Sequence, residues 1–423
     1  MSAADLHGYV CFSHVPFAPE RVVQMKQELI ARIPETVRCP DENTLICELH
    51  GRLQAAVQKR LTVGATVGVY LSGGLDSSLV AALLVEAGVT PHLFTLDFGA
   101  PFHLELPVAQ QVAAHLGLPL QIVPATPPFI ARTLSATVEA MPLPYGDSVV
   151  VPLYLLGQAA RDTVSEVWNG EGGDQLFGGW TNKPMIAAHL YDVAEQAEAE
   201  EVREYLATYH RFWGLTRLLY TPAHRERAGS LDAAEWVRPA LDRERFPHLL
   251  HRLRMANLLL KGAQNIAPRM VALAQCHGLS LRSPFFDTGL AGWTFALPPE
   301  QILAGAYEKY LLKRVAEKYL PSEVVWREKR GMGVPVTHWC LTRWHPAHWT
   351  LQRYLRNYLS SRQLKREGIF DPAMVRRLRQ GEDPTPEGAF RKRRVGEKLW
   401  LLLMWEMWRE MHGERCDIGG NGQ

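Results

Sequence analysis

The segment Ser72-Gly73-Gly74-Leu75-Asp76-Ser77-Ser78 stands between an apolar, β-favouring run at 66–71 and a helical pattern through 79–84. A strand that ends in paired glycines and continues as a helix constrains this chain more than any other stretch. The glycines permit a tight turn and close backbone approach. The helix N-terminus and the hydroxyls of Ser72, Ser77 and Ser78 offer donors to phosphate oxygens. No Gly-Lys-Ser/Thr is present in the loop, so no lysine of this loop reaches a γ-phosphate, and pyrophosphate is its natural guest.

The surrounding pattern predicts the scaffold. Leu49, Leu53, Val57 and Leu61 recur at helical spacing before the first strand. Strand patterns at 93–97, 120–123 and 164–168 then alternate with helical ones at 108–116, before Met141 and through 153–160. This alternation predicts an α/β fold, a parallel twisted sheet with helices on both faces, with ligands at the carboxyl ends of the strands. From Thr181 onward the strand signal fades, and amphipathic stretches at 191–213 and 397–408 predict a large helical C-terminal region. The expected division is an irregular, Pro-rich segment at 1–45, a nucleotide-binding core at 46–180, a variable helical insertion at 181–250, a helical part at 251–416 and a flexible Gly-rich tail at 417–423.

Composition narrows the function class. A chain of 423 residues suits two or three domains, and 47% hydrophobic with 21% charged residues is ordinary globular usage. A net charge of +2 is too balanced for a protein that grips a nucleic-acid backbone by charge. The six cysteines form no CxxC pair, which argues against zinc and for reduced thiols in a cytoplasmic protein. The N-terminus has no basic start followed by an apolar segment, and no apolar run is long enough for a membrane span. Trp400, Trp405 and Trp408 read as the packed side of a last helix, and Arg391-Lys392-Arg393-Arg394 as a solvated face. His103, His115 and His277 stand at no metal or triad spacing and receive no catalytic role.

The glycine loop resembles the signature of the PP-loop ATP pyrophosphatases, which activate a carbonyl or carboxyl group as an adenylate. Three further segments narrow the resemblance. Gly170-Glu171-Gly172-Gly173-Asp174-Gln175-Leu176-Phe177-Gly178-Gly179-Trp180 is similar to the GEGxDELFGGY segment of glutamine-dependent asparagine synthetases. His277-Gly278-Leu279-Ser280-Leu281-Arg282-Ser283-Pro284-Phe285-Phe286-Asp287 resembles their HSLEVRVPFLD. Tyr310-Leu311-Leu312-Lys313-Arg314, Leu320-Pro321 and the series from Trp326 to Pro335 resemble KxLLR, LP and RxKxGFxxP.

The resemblance implies an adenine pocket at Tyr70, Leu71 and Leu96 and a phosphate loop at Ser72, Gly73, Gly74, Asp76, Ser77 and Ser78. It implies Asn169 and Gly170 near the ribose or phosphates, Mg2+ held by Asp76 and Asp174, a catalytic Lys329, and Glu171 near the reacting centre. ATP and Mg2+ are the implied cofactors, with a small-molecule or peptide carboxylate as substrate.

Departures from the family pattern carry their own expectations. Complete members begin with a glutaminase domain whose nucleophile is a cysteine after the initiator methionine. Here the second residue is Ser2, and fewer than fifty residues precede the match. Nitrogen is therefore expected from ammonia, from a separate glutaminase subunit or from an amine on the substrate. The family's DEPFGDPS reads Pro142-Leu143-Pro144-Tyr145-Gly146-Asp147-Ser148-Val149, and its Asp-Glu reads Asp174-Gln175, so acids are lost near the expected acceptor. A buried α-ammonium needs such partners, which points to an acceptor other than free aspartate. A specialised amide- or ring-forming ligase similar to lasso-peptide cyclases or β-lactam synthetases stays open beside an asparagine-forming one, as does a non-catalytic nucleotide-binding subunit. A homo-oligomer is left open too.

Overall fold

Five short parallel strands, β1 (Val67–Tyr70), β2 (His92–Asp97), β3 (Leu120–Pro124), β4 (Glu166–Trp168) and β5 (Ser280–Arg282), form one sheet in the order β3-β2-β1-β4-β5. They belong to a computed structural model that describes residues 1–35, 41–179, 198–209, 211–305, 307–328, 331–342, 349–382 and 392–413. Every residue of β1 is buried, as expected where helices cover both faces. Register is set across the centre of the sheet, where Val69 pairs with Leu93 on one side and with Trp168 on the other. The helix Leu75–Glu86 that follows β1 buries Leu79, Val80, Leu83 and Leu84, and Val150–Ala160 buries an equally continuous apolar surface before β4.

The predicted α/β class holds, with strand ends within two residues of the sequence reading. Two expectations need correction. Residues 1–45 are not irregular, because they form the helices Ala3–Phe12 and Pro19–Ile30 and the start of Glu42–Gln58. The prolines that suggested disorder mark boundaries instead: Pro19 sits in the first turn of its helix, where a missing N–H costs nothing. Residues 251–416 are not wholly helical, since β5 pairs with β4 and completes the sheet. Its three residues are too few to show a strand period. Of the amphipathic stretch at 191–213, Glu198–Ala207 is helical; residues 191–197 and 210, like the tail at 417–423, lie outside the described residues.

The final helix, Lys392–Met411, is a core element, with Leu399, Trp400, Leu401, Leu402, Leu403, Met404 and Trp405 each no more than 2% exposed. A helix buried on every side needs neighbours all round. One is the first helix: the Tyr9 ring packs at a tilt against Trp405, centroids 5.0 Å apart, and its hydroxyl donates to the Leu401 carbonyl at 2.8 Å. Among the described residues no helix is long and apolar enough to cross a membrane.

Candidate active site

The strand order reverses between β1 and β4, so the segments leaving these two strands diverge and open a crevice at their carboxyl ends. A cleft of about 520 Å³ lies there. Its walls include Tyr70, Leu71, Ser72, Gly74, Asp76, Ser77 and Leu96 from the β1 and β2 side, and Asn169, Gly170, Glu171 and Asp174 from the segment after β4. Most of the residues singled out in the sequence therefore converge on one space.

Within the glycine loop the hydroxyls have different tasks. Ser77 Oγ accepts from the Ser72 backbone N–H at 3.2 Å, and the Ser72 and Ser77 hydroxyls meet at 3.1 Å, which closes the turn. Gly73 adopts φ +73°, a left-handed conformation that suits glycine, and does not itself line the cleft. Ser78 is fully buried, donates to the Gly74 carbonyl at 2.8 Å and is not on the cleft wall. Its expected contact with phosphate is replaced by a role inside the helix start.

The second loop is pressed against the first. A Cβ on Gly170 would stand 2.4 Å from the Ser77 backbone nitrogen, so only glycine allows this approach. Asn169 Oδ1 accepts from the Glu171 N–H at 2.9 Å and from Ser283 Oγ at 3.1 Å. Its Nδ2 is buried without a partner among the described residues, a spare donor on a residue of the cleft wall that could serve a ribose or phosphate oxygen.

Asp76 and Asp174 come together around a side chain that the sequence reading passed over. Lys309 Nζ lies 2.6 Å from Asp174 Oδ1 and also pairs with Asp76 Oδ2, with only 3% of its side chain exposed. Burial alone would lower the lysine's pKa, but Asp174 and Asp76 outweigh that and hold it above its ordinary value. Asp76 Oδ1 is buried and unpartnered, the kind of hard oxygen that Mg2+ takes. Among the described residues no group of three or more His, Cys, Asp or Glu side chains is poised to hold a metal. Two carboxylates would thus share an ion with phosphate oxygens and water, the usual arrangement for Mg2+. The available signal for Lys309 was the first lysine of the KxLLR pattern, which falls on it. Lys329 lies outside the described residues, while its neighbours Glu328 and Gly331 line the cleft.

The far wall was only partly legible. It comprises Thr208, Tyr209, Arg211, Met270, Arg394 and Glu397. Of the expected solvated face of 391–394, Arg394 turns inward, and burial lowers its pKa against the pull of Glu397; the side chains of 391–393 lie outside the described residues. Arg211 bridges Glu397 at 2.5 Å and Asp147 at 3.0 Å, and Arg269 reaches Asp147 at 2.7 Å. Asn265, at 2.7 Å, and Ser13, at 2.8 Å, complete the shell of Asp147. Burial opposes the charge on Asp147, but Arg269 and Arg211 with the Asn265 and Ser13 hydrogen bonds hold its pKa at about 2. Asn265 projects from a helical stretch wound to a π pitch, Asn257–Ile266, a distortion common at functional sites.

The family model for asparagine synthase matches residues 48–410. The chain is similar to the glutamine-hydrolyzing asparagine synthetase 1 of Bacillus subtilis (strain 168), with 23% identity over 398 residues covering 89% of this chain and 61% of that protein. It is similar as well to the glutamine-hydrolyzing asparagine synthetase of Homo sapiens, 29% identical over 294 residues that cover 67% of this chain and 42% of the relative. The chain thus spans about half the length of the curated relatives it matches.

Proposed function

The chain belongs to the asparagine synthase family, and from that premise we propose that it is an ATP-dependent carbon–nitrogen ligase that adenylates a carboxylate, releases pyrophosphate and forms an amide with ammonia or another amine. The observation that carries this reading is the meeting of the Ser72–Ser78 loop with the Asn169–Asp174 loop at the β1/β4 switch point, with Asp76 and Asp174 facing one cleft.

In this reaction an oxygen of the acceptor carboxylate attacks the α-phosphorus of ATP, and the bond to the β-phosphate oxygen breaks. The amine then attacks the acyl carbon, and AMP leaves with the bonding electron pair. Tyr70, Leu71 and Leu96 give the adenine an apolar seat. The loop N–H groups, the Ser72 and Ser77 hydroxyls and Asn169 Nδ2 meet phosphate and ribose oxygens. Asp76 and Asp174 would hold Mg2+, which supplies Lewis-acid neutralisation of the departing pyrophosphate. Lys329 neutralises the charge that grows on the phosphoryl oxygens, and Glu171 takes a proton from the attacking amine.

The acceptor lies against the far wall. On that wall Glu397 is committed to Arg211, and behind it Asp147 is committed to Arg269 and Arg211, so neither of these two acids is available to an α-ammonium without breaking an ion pair. This supports an acceptor other than free aspartate, including the specialised amide- or ring-forming reading. Nitrogen comes from ammonia, free or released from glutamine, or from the substrate's own amine. The test is AMP and pyrophosphate release from Mg-ATP with ammonium, with and without aspartate, in the intact protein and in Lys329→Ala. AMP release that depends on an added carboxylate and is lost in the variant supports the reading. Asparagine formed at ordinary efficiency would refute the choice of acceptor, and no AMP release with aspartate or with a panel of amino-acid and peptide acids would refute the ligase.

A further inference from the structure

We infer that Lys309 keeps Asp76 and Asp174 from capturing a free divalent cation, so that metal enters this site only together with a nucleotide. The inference rests on the reading of the two aspartates as metal ligands and adds a role for a residue outside that ligand set. Two carboxylates facing one cleft carry two negative charges; with the Lys309 ammonium between them the group carries one. An arriving dication therefore meets a fixed positive charge at contact distance from both of its prospective ligands. At such separations charge–charge energies in a partly dehydrated site are several-fold larger than in water.

The lysine is held there by its backbone as well as by its charge. Lys309 adopts φ +58° and ψ 32°, a left-handed conformation that is unfavourable for a non-glycine residue. Its N–H donates to the Phe177 carbonyl at 3.1 Å, which ties it to the loop that carries Asp174. An ammonium on a side chain that is 97% buried and paired with two carboxylates does not simply swing into solvent when a metal arrives. Asp76 Oδ1, on the opposite side of its carboxylate from the lysine, remains buried without a partner. A triphosphate brings enough negative charge to offset the ammonium, and its oxygens supply the coordination positions that two carboxylates leave open.

The probe is Mn2+, followed by electron paramagnetic resonance and calorimetry, with and without α,β-methylene-ATP, in the intact protein, Lys309→Met and Lys309→Arg. The intact protein and Lys309→Arg are expected to bind Mn2+ firmly only with the nucleotide analogue. Lys309→Met is expected to bind Mn2+ alone at least about tenfold more tightly than the intact protein does. Equal nucleotide-free affinities in the intact protein and Lys309→Met overturn the inference while leaving the metal site standing. No Mn2+ binding to any of the three even with the analogue overturns the metal assignment itself, and the inference with it. If Lys309→Met has a lowered Tm, Mn2+ alone is expected to raise it more than it raises that of the intact protein, because the metal replaces the missing cation. An equal or smaller rise overturns the inference.

Discussion

Replacing Asp147 by asparagine isolates the ion cluster that holds the far wall of the cleft. The carboxylate accepts four hydrogen bonds, from Ser13 and Arg211 on Oδ1 and from Asn265 and Arg269 on Oδ2. Asparagine keeps the shape but turns an N–H2 group toward two of those donors and leaves the two guanidiniums with one nearby carboxylate, Glu397. The shift of the Asp147 pKa from 3.8 to about 2 corresponds to roughly 2 kcal/mol of folding stability carried by ionisation in place. The buried N–H groups add to this, and breaking one partner of a buried pair costs about 3–5 kcal/mol, so a loss of about 3 kcal/mol is expected at neutral pH. For a chain of this size the unfolding entropy is about 0.9 kcal/mol per degree, which converts the loss into a fall in Tm of about 3 °C.

The pH dependence supplies a second check on the same residue. Because folding lowers this pKa, the stabilisation is complete above about pH 4 and is lost as pH falls toward about 2. The intact protein should lose stability across that window more steeply than Asp147→Asn. Thermal unfolding by circular dichroism from pH 7 downward measures both effects, and nucleotide binding should change less than threefold because Asp147 does not line the cleft. A Tm within about 1 °C of the intact protein at pH 7, or an unchanged acid limb, would show that the cluster is not the brace described.

Two other changes test neighbouring parts of the argument. Gly170→Ala places a Cβ 2.4 Å from the Ser77 nitrogen and 2.7 Å from Asp76 Cβ, which forces the two loops apart; ATP binding by calorimetry should weaken by about a hundredfold or more, and an unaltered affinity would refute the close approach. Lys261 lies over the Tyr209 ring at 4.5 Å, and burial, with Arg211 nearby, pushes its pKa down to about 7. Folding therefore penalises the charged amine fully below pH 7 and progressively less as pH rises toward 10.5, so stability should climb over that interval. Lys261→Met should remove the climb and raise stability at pH 6 by about 2 kcal/mol, measured by urea unfolding; a less stable variant would refute the assignment.

What the sequence determined by itself was local chemistry and its order along the chain. Ser72 to Ser78 marked a strand-to-helix turn with donors suited to phosphate, and short apolar runs alternating with helical spacing separated the first four strands from their helices. Asp76, Asn169, Gly170 and Asp174 were legible because they stand in short, ordered motifs. Tertiary structure decided what depended on distant neighbours. β5 is three residues long and exists because β4 offers an edge. The first helix is buried because the last helix, nearly four hundred residues later, presents Leu401 and Trp405 to Tyr9. Lys309 stands in the KxLLR-like segment, but its pairing with two aspartates appears only when the chain returns to the cleft. Likewise Asp147 and Arg211 lie 64 positions apart, and their pairing is a property of the closed core. Periodicity and motif spacing record interactions within a few residues. Electrostatic partnership inside a folded core depends on distance in space, which the linear order does not contain.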